Sequence, residues 1–398
     1  MSFVSDYLHY TREYESPTSF WKWSAYAAIA SVLRDNVYIM MGDKPLFPNI
    51  YVLLLADSAV QRKDNPVNTA AALIQHVNNT KVINGRSSIQ GILDELARGE
   101  TDKATGQIKK GGSAIWIAPE MSAGIVNDPE AIKILTDIYT FRERYDSRLR
   151  TQANFSIKNI CFSFLAASNE ELLRDVYDIK ATMGGLLGRT FLITPNEFRK
   201  GNSLFRVDSK RMIAERKHIE ELLSKFSLLR GEFTVEDDAI DLYDEWYIPF
   251  RDSYEKQGDR SGISGRIHTS VVKVAMLIAV SETSELVIRK NQMRCAIQEC
   301  TDLIPNYRKF VMSSGKSSLA EIATIVLSAI FEEDSKELSR KEILQRFWNV
   351  FDQGAETLDK LITTLEQGGM ISTYVNGSEV SYKMTDRCIQ ILFQKEKK

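Results

Sequence analysis

Between residues 50 and 195, short apolar runs alternate with stretches whose apolar positions recur at helical spacing. NIYVLLL (49–55), SAIWIA (113–118), NICFSFLAASN (159–169) and RTFLITP (189–195) are apolar at consecutive positions, the pattern of strands buried on both faces of a parallel sheet. Between them the spacing predicts a helix from Pro66 to Val77, another opening at Ser87 or Ser88 with Ile89, Ile92, Leu93 and Leu96 on its apolar side, and two more over 129–142 and 170–179. Such alternation predicts an α/β sheet covered on both faces. Upstream, residues 3–34 read as helices rich in Trp, Tyr and Ala, broken by Pro17, and NVYIMMG (36–42) reads as a strand.

After residue 208 the pattern changes to long amphipathic helices at 209–229, 235–256, 266–282 and 291–312. The polar MSSGKSS then sets off two helices, 339–348 and 354–367, and a hairpin around Asn376-Gly377. Helix, helix, hairpin is the outline of a winged helix. The expected division is an N-terminal helical segment (1–45), an α/β core (46–200), a helical lid-like region (201–315) and a winged-helix domain (316–398).

Composition narrows the class. With 398 residues and 43% hydrophobic content, the chain can fill the cores of two or three domains. A net charge of -2 argues against strong nonspecific affinity for nucleic acid over the whole surface, while leaving room for a local basic face. Cys161, Cys295, Cys300 and Cys388 lack the spacing of a metal or redox site, as expected of buried thiols in a reducing compartment. The N-terminus has no signal-peptide pattern, and no apolar run approaches the roughly 18 residues of a membrane span. A soluble, cytoplasmic protein is the expectation.

The turn ADSAVQRKDN (56–65) joins a buried-type strand to a helix, where a cation and free helix N–H groups can jointly hold an anion. Ser58, Arg62, Lys63, Asp64 and Asn65 are therefore candidate nucleotide-binding residues. A phosphate loop uses glycines to curl its backbone, a Lys on the outer phosphates and a Ser/Thr on Mg²⁺. This turn has no glycine, and Asp64 stands in the hydroxyl's place. The plainer alternative is an ordinary strand–helix turn whose Asp57, Ser58 or Asp64 caps the helix.

Glu120, past the end of SAIWIA, is a candidate catalytic carboxylate, but Pro119 before it offers no metal ligand. Asn169 can orient a water or, with Ser168, cap the next helix. Arg142, Arg144, Arg148 and Arg150 crowd one segment, and Arg189 and Arg266 stand alone near glycines. Such arginines complete a neighbour's site in a ring, or simply line a solvated helix face.

Taken in order, these segments resemble the phage- and mobile-element-associated helicase-like P-loop NTPases, a domain of unknown function found beside primases. The likeness covers roughly residues 5–285. It runs through SPTSFWKWSAYAAIASVLRDNVYIMMG, FPNIYVLLLADS, the RK before the helix, the strand ending in Glu120, LAASNEELL, GGLLGRTFLI and SGRIHTSVVKVAMLIAV. The resemblance implies a RecA/AAA-like core acting as a homo-oligomeric ring, such as a hexamer, on DNA with other replication proteins. It implies Lys63 as the phosphate lysine, Glu120 as the catalytic carboxylate, Asn169 as a sensor, Arg189 as a trans-acting finger and Arg266 as a second sensor. ATP and Mg²⁺ would be the ligands, with weak or absent binding expected because both Mg²⁺-holding positions depart from the family pattern. The expected function is a replication ATPase with an eroded nucleotide site. The alternative is a non-hydrolysing structural or adaptor component that binds DNA or a partner protein.

Overall fold

The computed structural model describes residues 2–56, 61–98, 100–101, 108–109, 112–121, 125, 128–140, 142, 144–147, 155–169, 183–195, 197, 199–201, 208–254, 262–313, 318–351, 354–377 and 379–392. The chain divides into two compact units, Met1–Ser314 and Gly315–Lys398.

The first unit begins with α1 (Phe3–Tyr10), α2 (Thr18–Leu33), β1 (Val37–Met41), β2 (Lys44–Leu46) and β3 (Tyr51–Leu55). Then come α3 (Asp64–Ile74), β4 (Val82–Asn84), α4 (Ile89–Ala97), the short β5 (Glu100–Thr101) and β6 (Ile108–Lys109), and β7 (Ser113–Ala118). α5 (Pro129–Tyr139), β8 (Arg144–Ser147), β9 (Phe155–Lys158), β10 (Cys161–Ser168), α6 (Met183–Leu187) and β11 (Thr190–Ile193) complete the alternating part. The helical stretch holds α7 (Ser209–Phe226), β12 (Gly231–Glu232), β13 (Thr234–Val235), α8 (Asp237–Tyr254), α9 (Ile267–Thr283), β14 (Val287–Ile288), α10 (Lys290–Asp302) and α11 (Ile304–Ser313).

Five strands form one parallel sheet in the order β11-β3-β10-β7-β4. In chain order that is fifth, first, fourth, third, second. Every residue of β3, β7, β10 and β11 is buried, which is why these strands are apolar at every position rather than at alternate ones. α2 and α9 are buried nearly all round, as their lack of a polar face requires. α2 packs on α3, β3, β10, β11 and α9, so the N-terminal helices and the helical stretch share one core with the sheet.

The second unit has α12 (Ser318–Glu332), β15 (Glu337–Ser339), α13 (Arg340–Arg346), α14 (Ala355–Gln367), β16 (Ile371–Asn376), β17 (Glu379–Met384) and α15 (Asp386–Leu392). Its sheet runs β15-β17-β16, antiparallel throughout, around a separate apolar core.

Several local expectations shift. α3 begins at Asp64, two residues early, because proline is tolerated in a first turn and Pro66 sits inside it. Its N-cap is Lys63, with no side-chain capping bond, so Asp64 is not the cap. Ser88 does cap α4, accepting from the Gly91 N–H at 3.2 Å. In the Arg-rich segment, Arg144 lies on β8, which pairs with β9, and not on a helix face. Helix 291–312 is broken at Leu303, just before Pro305. In the hairpin Asn376 itself pairs with Glu379, so it is the last residue of its strand, and Gly377 follows at φ +65°. Ser58, Asp57, Arg148, Arg150 and the helix expected over 170–179 lie outside the described residues.

Candidate functional site

The carboxyl ends of β3, β10 and β7 bring the strand-end candidates to one edge of the sheet. Leu55 pairs with Ser168, and Ala118 with Ala166, the last paired residue of β7, with Pro119 and Glu120 following just beyond it. The Ala56 N–H donates to the Ser168 carbonyl at 3.3 Å, and the Met121 N–H to the Ala167 carbonyl at 2.7 Å. With strands spaced about 4.8 Å apart, Glu120 sits roughly 10 Å across the sheet from the Leu55–Ala56 end. Glu120 is exposed and Asn169 half-buried. In an open parallel sheet, the crevice beside such a strand end, where chain connections leave in opposite directions, is where ligands bind.

At this edge the chain around Lys63 is held from several sides. Arg62 has φ +44°, a left-handed backbone that glycine adopts without strain. It is fixed there by the buried Ser16, whose hydroxyl donates to the Arg62 carbonyl at 2.9 Å, and by a 2.9 Å ion pair between its guanidinium and Glu15. Thus the local conformation of a loop glycine is retained by an arginine clamped to the segment before α2. The Lys63 ammonium donates to the Ala56 carbonyl at 2.9 Å, closing the turn on itself.

Among the described residues of the turn, donors that a triphosphate would need are engaged or missing. The Asn65 N–H donates to the Arg62 carbonyl at 3.1 Å, and Pro66, in the first turn of α3, has no N–H. Asp64, also in that first turn, brings a carboxylate where the helix would otherwise face an anion. Lys63, Asp64, Asn65 and Pro66 by themselves offer few free donors to a Mg²⁺–triphosphate. Among the described residues no group of three or more His, Cys, Asp or Glu side chains is placed to hold a metal ion.

Arg189 lies at the other end of the sheet, within electrostatic reach of Arg266. Arg189 directly precedes Thr190, which pairs with Tyr51 at the start of β3. Six residues of strand, about 20 Å, separate that level from Ala56. Within one copy, neither guanidinium reaches the Lys63 edge from there. Arg189 donates from Nη1 to the Gly185 carbonyl at 2.6 Å. Its proton is loosened by burial first and then by the charge of Arg266.

Beneath this pair lies a buried polar network that the sequence did not single out. Lys273, in the middle of α9, is fully buried; its Nζ donates to the Asn49 side-chain oxygen at 2.7 Å and the Asn49 carbonyl at 2.8 Å. It also sits 4.0 Å above the centre of the Tyr139 ring. Asn49 Nδ2 donates to the carbonyls of Tyr139 (2.9 Å) and Phe162 (3.0 Å), while the Tyr51 hydroxyl donates to the Leu135 carbonyl at 2.9 Å. The PNIY stretch therefore ties the last turn of α5 to β10 and α9. Burial lowers the Lys273 pKa to about 7, with Arg189 adding to the effect, and pushes the neighbouring Cys161 thiol up to about 12. The available signal was a lone lysine within the apolar run SVVKVAMLIAV.

Among the described residues no helix is long and apolar enough to cross a membrane. A scan of protein-family models finds no match to the chain, and a search of curated proteins finds none either.

Proposed function

We propose that the larger unit is an AAA-like ATPase core from a phage or mobile-element DNA-replication apparatus, with an eroded nucleotide site. The observation that carries this reading is the strand order: fifth, first, fourth, third, second, the order of the AAA-type core that the resemblance implies. In that order Lys63 follows the first strand, Glu120 the third and Asn169 the fourth, all at one carboxyl edge. This is a fold-level analogy strengthened by the placement of those segments.

A second reading, a non-hydrolysing structural or adaptor component, is favoured by the donor set of the turn. Pro66 supplies no N–H, the Asn65 N–H is engaged, and the Lys63 ammonium is bonded to Ala56. In either reading copies assemble into a ring, and a neighbour's Arg189 approaches the Lys63 edge from outside. The β15–β17 unit is read as a winged helix. ATP turnover with and without single-stranded DNA, alongside Lys63→Ala, separates the two readings. DNA-stimulated turnover lost in the variant supports a working ATPase; turnover at background in both supports the structural component.

A further inference from the structure

We propose that copies of this chain join head to tail, the outer face of α7 on one copy docking on the outer face of α8 on the next. α7 turns Ile219, Leu223 and Phe226 into the core and packs on α1, α2 and α3. Its opposite face exposes Lys210, Lys217 and Lys225, seven and eight residues apart and so nearly in line along the helix. Ile213, 68% exposed, lies in this row, and Leu228, 73% exposed, follows just past the helix. One carboxylate, Glu221, interrupts it.

α8 presents the complement. It packs on α10, and its outer face exposes Asp237, Asp241, Asp244 and Asp252, with Ile248, 58% exposed, among them. Arg251 is the one basic residue of the helix. Asp237, Asp244 and Asp252 are again seven and eight residues apart, and both helices have 18 residues. Asp252 stands in the last turn, where the helix dipole opposes a carboxylate, so the row does not serve α8 itself. Among the described residues Lys217, Lys225, Asp244 and Asp252 form no ion pair; those of α7 are made by Arg211, Glu215, Arg216, His218 and Glu220.

A lysine row alone would suit nucleic acid as well. The exposed Ile213 and Leu228 favour protein, since exposed ion pairs are worth little singly and apolar burial must hold such a contact. A second copy supplies the matching charge and its own Ile248. The two faces differ, so the contact is heterologous and repeats from copy to copy. It rests on the proposed ring for closure alone, and it does not involve nucleotide at the Lys63 turn.

The test is light scattering of the full chain without nucleotide at physiological salt. Wild type should give the mass of several copies, decreasing as salt is raised. Lys217→Glu with Lys225→Glu, and separately Asp244→Lys with Asp252→Lys, should each raise the concentration of half-assembly about a hundredfold or more. Mixed in equal amounts, the two variants should assemble again, because each altered face meets the other's; variants that had merely unfolded would not. Ile213→Ser, which changes no charge, should weaken assembly about tenfold. A single-copy mass for wild type, undiminished assembly in either charge variant, or a mixture that stays dissociated would overturn the contact. Intact assembly of Lys217→Glu with Lys225→Glu, together with loss of oligothymidylate binding, would assign the lysine row to nucleic acid and overturn it equally. A closed mass and an indefinite open chain both retain the contact, and only the second removes the ring.

Discussion

Lys273 is a cation at the centre of an otherwise apolar helix, and its partners make its burial tolerable: two Asn49 oxygens and the face of Tyr139. Its folded pKa of about 7 lies below its ordinary 10.5. Above the ordinary value both states are neutral. As pH falls from there toward 7, the unfolded chain takes up a proton that the folded chain refuses, so stability declines and levels off below about 7. The span amounts to about 5 kcal/mol. Denaturant unfolding should therefore show wild-type stability rising from pH 7 to 10 relative to Lys273→Met, which lacks the titrating group. A flat difference would remove the buried-amine account. The lysine was visible in the sequence as an oddity, but Asn49 and Tyr139 are too distant in the chain for their convergence to be read. Arg62 carries a second residue-scale expectation. Its left-handed backbone costs roughly 1 kcal/mol, and its exposed ion pair with Glu15 returns about 0–1 kcal/mol. Arg62→Gly should leave stability within about 1 kcal/mol of wild type, whereas a β-branched Arg62→Val should lower it by about 1–2 kcal/mol. Equal effects from the two would show that the clamp, not the conformation, matters at this position.

Strands buried on both faces were legible because no alternation of polar residues interrupts them, and β3, β7, β10 and β11 fall inside their apolar runs. The β8–β9 hairpin was not, since RYDS pairs with FSIK through main-chain bonds that side-chain polarity does not announce. Nor was the end of α10, where Pro305 breaks an amphipathic pattern that continues beyond it. How closely these elements pack is testable at Gly112, where β7 begins. A Cβ there would lie 2.6 Å from Ile157 Cγ2 and 3.2 Å from Ile160 Cα, which is main chain and cannot rotate aside. Gly112→Ala should therefore cost about 1–3 kcal/mol in chemical denaturation, and an unchanged midpoint would mean that β9 yields freely. In the smaller unit, Ser339 caps α13 by accepting from the Glu342 N–H at 3.2 Å, while Glu342 accepts from the Ser339 N–H at 2.9 Å. Ser339→Ala should lower the stability of that unit by about 1 kcal/mol and leave the unfolding of the larger unit unmoved.

At the scale of the molecule, the division after Ser314 leaves each unit its own core, and the polar MSSGKSS marked that boundary in the sequence. The candidate site was legible only in part. Lys63, Glu120 and Asn169 follow strands that could be recognised one by one, but the strand order that aligns them depends on long-range pairing no local pattern specifies. The smaller unit, for its part, should not read DNA. On α14, Glu356, Asp359 and Glu366 are exposed beside Lys360, and Arg340 is engaged with Asp359 at 2.8 Å. Such a face repels phosphate. Its exposed Trp348, Tyr374 and Val375 suit contact with protein instead. Residues 317–398 should give no retardation of duplex DNA at physiological salt, and specific binding by that fragment would refute this reading. The proposed function is an ATPase-type core with an eroded nucleotide site at the Lys63 turn. It is tested most directly by equilibrium titration of the full chain with ATP in the presence and absence of Mg²⁺, beside Lys63→Ala. The account predicts weak binding, little helped by Mg²⁺, with the part that remains at this turn lost in Lys63→Ala; Mg²⁺-dependent binding near micromolar would contradict it.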